Sequence, residues 1–376
     1  MGTRLSRRAA LHLAAMASVV LASLALVACG GDDDEGGAAQ ESGSGSTQEV
    51  EVLLSFPRGN AWLPLLVAED QGYFEDEGIR LKIQETEGSG FVTQQIIAGN
   101  ADFGWAGAPS DVIAYGKVPG LRALACNHEK NIFSVNVPAD SDIQDVTDLD
   151  GRKLGITAKG GGEEPMVDSM IAENDLDVEI IPVGEVGPAV IKAIQDGTVD
   201  AFAGGITDIT TLEAGGIDFR DITPEQYDPM PGDCLISTES ALGDQEKQDV
   251  AAKMIRAWMK GAFFAIADQE AAVDIACRAI PEECRDREGF TAPFAAKIVD
   301  IIQPVDESLP PTALDPAGWQ QTADVLRTSG ALENEVDIDT LIASPEVEEV
   351  TDLAYEDVDG IRAAAEEDAA NYQAQG

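Results

Sequence analysis

The chain writes nearly the same phrase twice, GNADFGWAG from Gly99 to Gly107 and GTVDAFAGG from Gly197 to Gly205. In each copy an apolar helical run (FVTQQIIA, then AVIKAIQD) precedes the glycine, and an aspartate stands three residues after it. A short run of small and aromatic residues then ends in glycine. A helix stopped by glycine and followed at once by a short strand is one half of an α/β unit. Two such units call for two lobes of similar local design, each with a glycine-containing loop at the carboxyl end of a strand. In open α/β sheets that edge is where ligands bind, and two such edges facing each other make a cleft.

The surrounding sequence supports this reading. Val50 to Phe56 reads as a buried strand, residues 62–71 as a helix with Pro64 tolerated in its first turn, and Arg80 to Gln84 as a second strand. Gly88-Ser89-Gly90 opens a helix that Gly99 caps. Strands are expected at Asp102 to Trp105, Leu121 to Ala125 and Ile132 to Val137, with a helix starting near Ser110. The texture changes at Pro138. A second series follows: a strand at Gly151 to Ile156, a helix after Gly162, a strand at Val178 to Val183, a helix at Pro188 to Asp196, and a strand at Asp200 to Ala203. The alternation predicts an α/β fold with mostly parallel sheets.

The first residues read as a targeting segment. Arg4, Arg7 and Arg8 precede an apolar run from Ala9 to Ala28, and Leu26-Val27-Ala28-Cys29 has the pattern of a bacterial lipobox. Residues 1–28 are therefore expected to be a lipoprotein signal peptide, with Cys29 lipidated. Residues 29–47, rich in glycine, serine and acid, are expected to be a flexible tether. The body would then be held by lipid at the outer face of a membrane, in the cell envelope or periplasm.

Charge narrows the partners. With 69 acidic and 24 basic residues the formal net charge is −45, which makes nucleic acid and anionic lipid head groups poor partners. Self-repulsion of that size is screened within about 3 Å at 1 M salt. The melting temperature is therefore expected to rise between low and molar salt. A thermal scan that stays flat or falls contradicts this.

Catalytic and metal signatures are sparse. Beyond the leader, His128 is the one histidine, and Cys-x-x-Cys, Gly-x-Ser-x-Gly and phosphate-loop patterns are missing. No enzyme activity, cofactor or metal is expected from these residues. Four cysteines follow Cys29 and allow three pairings. Cys277 with Cys284 is favoured because Pro281 should end the helix between them and let the chain fold back. Cys126 with Cys234 completes the set.

The stretch VEVLLSFPRGNAWLPLLVAEDQGYFEDEGIRLKI resembles the start of substrate-binding proteins that serve ABC importers for nitrate, sulfonates, taurine and thiamine-pyrimidine precursors. Ala68 through Gly78 fits that family's helix end. Gly99-Asn100-Ala101-Asp102-Phe103-Gly104, residues 148–155 and Gly197-Thr198-Val199-Asp200-Ala201 fit its later elements in order. The resemblance implies a periplasmic-binding-protein type II fold: two α/β lobes, a ligand cleft between them and two hinge crossings, near Pro138 and near residues 231–234. Lobe 1 would comprise residues 48–138 and 234–346, lobe 2 residues 139–233, and residues 347–376 an acidic helical tail.

The implied function is that of a lipid-anchored, monomeric protein outside the cytoplasm. It would capture a small organic solute, sulfonate- or taurine-like or pyrimidine-precursor-like, and hand it to an ABC importer permease. Cleft residues carried over by position are Phe56, Arg58, Asn60, Trp62, Ser89, Gly90, Trp105, Ser110, Lys159, Gly161, Glu163, Glu185, Gly205, Thr207 and Asp208. The alternatives are an enzyme on the same fold, related to pyrimidine-precursor synthases or chorismate dehydratases, and a ligand-sensing lipoprotein.

Overall fold

Helix-capping glycines punctuate both halves of the chain in the same way. In the computed structural model, which describes residues 47–372 except Glu87, Gly160 and residues 185–187, Gly99 and Gly197 take left-handed φ angles of 71° and 66°. The helices Ser89–Ile97 and Pro188–Gln195 end on these glycines. The backbone N–H groups of Asn100 and Thr198 donate to the carbonyls of Gln95 and Ala193, five residues back, in the same closing pattern. The expected leader, the tether as far as residue 46, Cys29 and Glu185 lie outside the described residues.

Five strands form the first sheet: β1 (Gln48–Leu54), β2 (Ile79–Glu85), β3 (Phe103–Gly107), β4 (Leu121–Cys126) and, much later in the chain, β10 (Asp233–Thr238). The second sheet holds β5 (Phe133–Pro138), β6 (Lys153–Ile156), β7 (Glu179–Pro182), β8 (Ala201–Gly205) and β9 (Phe219–Asp221). Their spatial orders are β2-β1-β3-β10-β4 and β7-β6-β8-β5-β9. Each lobe repeats one plan: second strand, first, third, the strand that has just crossed from the other lobe, then the fourth. The echoed phrases are the third strands, β3 and β8.

Three expectations are refined. Four strands of each sheet run the same way, as expected of mostly parallel sheets, but β10 runs antiparallel to β3 and β4, and β5 antiparallel to β8 and β9. A strand arriving from the opposite lobe enters from the cleft edge and so runs against its neighbours. For the same reason the first crossing precedes β5 instead of following Pro138: Phe133 pairs with Gly205 across the second sheet. The chain therefore leaves lobe 1 through residues 127–132, and it returns between residues 228 and 232. The third change concerns the last helices, Pro345–Ala354 and Val358–Asn371, expected as a tail. Val347, Val350, Ala354, Ala365 and Ala369 are buried in the lobe 1 core.

That core forms around the 23-residue helix Gln245–Ala267, which lies against the helix Leu63–Asp70. The helices approach so closely that a Cβ on Gly261 would overlap the Pro64 carbonyl. Lobe 2 has its own smaller cores around Ile156 and Phe202. The helix Pro316–Thr328 serves both lobes: Trp319, Ala323 and Leu326 join a lobe 1 cluster, while Val325 joins the lobe 2 core. On another part of the lobe boundary Lys297 pairs with Glu213 at 2.8 Å. Two disulfides join Cys126 to Cys234 and Cys277 to Cys284. No helix among the described residues is long and apolar enough to cross a membrane.

Candidate functional site

The carboxyl end of β1 and the ends of β3 and β10 meet the first crossing and the loop after β6 around a cavity of about 190 Å³. Lobe 1 contributes Phe56, Ser89, Gly107, Pro109 and Ser110, and lobe 2 contributes Gly162, Pro165 and Met166. Asn131, Ile132 and Phe133 of the outgoing crossing and residues 230–233 of the returning one complete the wall, with Val325 and Leu326 behind them. Among the described residues the wall is mainly apolar, and Asp233 is its one charged residue. Two positions need glycine for space: a Cβ on Gly232 would collide with His128, and one on Gly162 with the Phe133 ring.

A directed set of hydrogen bonds ends at Asp233. The indole N–H of Trp258 donates to Asn127 Oδ1 at 2.8 Å, which leaves the Asn127 amide facing His128 Nε2 at 2.9 Å. His128 Nδ1 lies 3.4 Å from Asp233 Oδ2 and 3.4 Å from the Asp233 backbone nitrogen. The Ala61 carbonyl, 3.1 Å from His128 Nε2, is reached by the same Asn127 amide at 3.5 Å. Ser55 Oγ donates to the other Asp233 oxygen at 2.7 Å. Among the described residues no Lys or Arg pairs with this carboxylate.

Two further acids are buried close by. Asp111 is fully buried, both its oxygens lack a hydrogen-bond partner among the described residues, and burial first, then the Asp233 charge, holds its pKa well above the ordinary 3.8. Glu129, in the outgoing crossing, is pushed well above 4.5, chiefly by burial and against a Thr312 N–H bond. Each therefore holds its proton more tightly in the folded chain than in the unfolded one. Folding then binds protons, so stability falls as pH rises above the ordinary carboxylate range towards the raised folded values. Asp111→Asn and Glu129→Gln are expected to raise the melting temperature at about pH 7.5 and to change it much less near pH 4. Equal shifts at both pH values would contradict this assignment.

The residues expected at the cleft divide into groups. Phe56, Ser89 and Ser110 line the cavity, and Ser89 Oγ also accepts the Gly107 N–H at 2.9 Å. Trp62 and Trp105 do not line it. Both are fully buried in the lobe 1 core, where Trp105 stacks on Trp258 at 4.2 Å and Trp62 lies behind Phe56 at 4.6 Å. Pleating explains this: Trp105 points from β3 towards the long helix, while Ala106 faces the other side of the sheet. Asn60 is buried under the loop carrying Glu283, which accepts its backbone N–H at 2.8 Å.

The charged expectations are engaged elsewhere or stand off the wall. Arg58 pairs with Glu69 at 3.0 Å and with Glu85 at 3.7 Å. Glu163 accepts both the N–H and the hydroxyl of Thr157, at 2.8 and 2.6 Å, and so fastens its own loop. Asp208 accepts the Gly205 N–H and caps the helix Ile206–Ala214. Lys159, Gly90 and Thr207 are exposed, and they and Gly161 lie off the cavity wall. Sequence reasoning missed Asp233, Asn131, Phe133, Met166 and Met230. The available signal was DPMPGDC, a proline-broken segment carrying an acid beside the expected second crossing.

Comparison with known proteins places this geometry. A family described as NMT1/THI5 like matches residues 60–272, more than half of the chain. A curated 4-amino-5-hydroxymethyl-2-methylpyrimidine phosphate synthase from Uromyces fabae is 26% identical over 160 residues, covering 42% of this chain and 46% of that protein. The alignment thus spans about half the length of that relative. The periplasmic aliphatic sulphonate binding protein SsuA from Escherichia coli superposes with a TM-score of 0.58 at 18% identity, covering 79% of this chain and 92% of that one. A putative periplasmic sulfonate-binding protein SsuA from Methylobacillus flagellatus KT gives 0.60 at 16% identity, covering 84% and 96%. These likenesses establish the periplasmic-binding-protein fold. They also correct one expectation: a chain without enzyme activity does not follow from its missing motifs, because its curated relatives carry the name of a synthase. The matched segment and the doubled sheet order lead to one assignment: the chain belongs to the NMT1/THI5-like family.

Proposed function

We propose that the protein is a solute-binding protein outside the cytoplasm, anchored by lipid at Cys29, that captures a small organic solute between its lobes and delivers it to an ABC importer. One observation carries this reading: the cavity is walled by both lobes and by both chain crossings, so a bound solute touches every part that a hinge motion would move. The fold shared with periplasmic binding proteins supports it. The test begins with mass spectrometry of solute released from purified protein, followed by small-angle scattering before and after that solute is added back. Compaction on binding is the expected result. Binding with an unchanged radius of gyration overturns interlobe capture.

A second reading, chemical conversion of the bound solute, is favoured by the synthase name of the curated relatives. Incubating the protein with the released solute and following its mass separates the two readings. A new product supports conversion, and recovery of unchanged solute supports capture.

A further inference from the structure

The cavity wall turns its polar groups towards the protein itself. Among the described residues, Ser89, Ser110, Asn131 and Asp233 are its polar side chains. Asn131 Oδ1 accepts the Phe133 N–H at 3.0 Å, and its amide nitrogen lies 3.1 Å from Met166 Sδ. Asp233 has Ser55 on one oxygen and His128 at the other. Ser89 Oγ accepts the Gly107 N–H. The helix starts are engaged as well. Ala108–Lys117 and Glu164–Asn174 begin at the wall, where an anion would ordinarily meet backbone N–H groups. Their first N–H groups donate instead to the carbonyls of Gly232 at 2.8 Å and Gly161 at 3.2 Å. Their second residues, Pro109 and Pro165, line the cavity and have no N–H to give. No Lys or Arg stands on the wall among the described residues. A solute therefore meets chiefly the surfaces of Phe56, Phe133, Met166, Met230, Val325 and Leu326.

We propose that the cavity takes an uncharged, carbon-rich aromatic solute, one ring with a short substituent, of the phenol type. This rests on the capture reading above and specifies its ligand class. Size supports it, since an apolar cavity of about 150 Å³ holds benzene and this one measures about 190 Å³. Aromatic and thioether side chains give a ring close dispersion contacts. The Ser89 and Ser110 hydroxyls stand at the wall for one small polar group on it. A sulfonate, carboxylate or ammonium group would leave water and find no unengaged group of opposite charge, at a cost beyond what burying one ring gains. A nitrogen-rich heterocycle would give up hydrogen bonds to water for few in return.

The test compares four probes of one ring's size on the full protein by calorimetry: p-cresol, benzoate, benzylamine and 4-aminopyrimidine. All are measured at about pH 7.5 in about 1 M salt, which screens the acidic surface. p-Cresol, uncharged at this pH like a tyrosine side chain, is expected to bind one per chain with a Kd of about 0.3 mM or lower. Benzoate and benzylamine are expected to bind at least about thirtyfold more weakly, and 4-aminopyrimidine at least about tenfold. Phe56→Ala removes part of the aromatic wall and should weaken p-cresol by at least about tenfold. Should that variant fail to fold, Ser110→Phe provides the second arm. It adds bulk at the wall and should abolish p-cresol binding up to about 10 mM. A charged probe or the pyrimidine binding as tightly as p-cresol, no p-cresol binding, or p-cresol affinity unchanged in either folded variant overturns the assignment. The capture reading fails separately. p-Cresol that binds without compaction sinks capture and leaves the ligand class standing, whereas a charged released solute that compacts the lobes does the reverse.

Discussion

Trp105→Ala is expected to destabilise the protein by about 3–5 kcal/mol, the usual cost of deleting a large aromatic from a packed core. The side chain is fully buried between Trp62 and Trp258, with ring centroids 6.3 and 4.2 Å away. Neighbours fixed in a sheet and a long helix cannot collapse into the space it leaves. Its indole N–H has no hydrogen-bond partner among the described residues, so part of the ring's burial already carries a polar cost. Trp105→Phe keeps one ring and removes that donor, and should therefore cost clearly less than the alanine variant. Denaturant melts of both variants check this order. If the alanine variant melts like the parent, and its only defect is weaker solute binding, Trp105 is a cleft contact and not a core residue.

Removing the Cys126–Cys234 disulfide is expected to cost about 5 kcal/mol, against about 2 kcal/mol for Cys277–Cys284, if chain entropy dominates. The difference lies in the loops enclosed, with sequence separations of 108 and 7 residues. Cys126 is the last residue of β4 and Cys234 the second of β10, and these positions face each other in register. The bond therefore clips lobe 2 at its neck, and without it the unfolded chain regains the freedom of that whole segment. Urea melts of the two paired serine variants, Cys126→Ser with Cys234→Ser and Cys277→Ser with Cys284→Ser, measure the contrast. Exposure adds a kinetic expectation. Cys126 and Cys234 are buried while Cys277 and Cys284 are partly exposed, so mild reductant followed by alkylation should label the second pair first. Equal costs, or the reverse order of labelling, would mean that native-state strain or local opening outweighs loop length.

The elements themselves could be read from the sequence because their signals are local. Glycine at a helix end, alternating apolar runs and the echo at Gly99 and Gly197 each depend on a few neighbouring residues, and β3 and β8 fall where the echo places them. The two-lobe plan was legible for the same reason. Only the tertiary structure decided to which sheet the strand at Phe133–Pro138 belongs, since either lobe could accept an apolar strand and only the pairing with Gly205 settles it. The site followed the same division. Phe56, Ser89 and Ser110 stand at strand or helix ends, where position alone aims them at the cleft. Trp105 lies at such an end too, but the pleat turns it into the core, and side-chain direction depends on what packs behind the sheet. Asp233 reaches the cavity only because the returning crossing brings its strand between β3 and β4, over a sequence separation that no local pattern records.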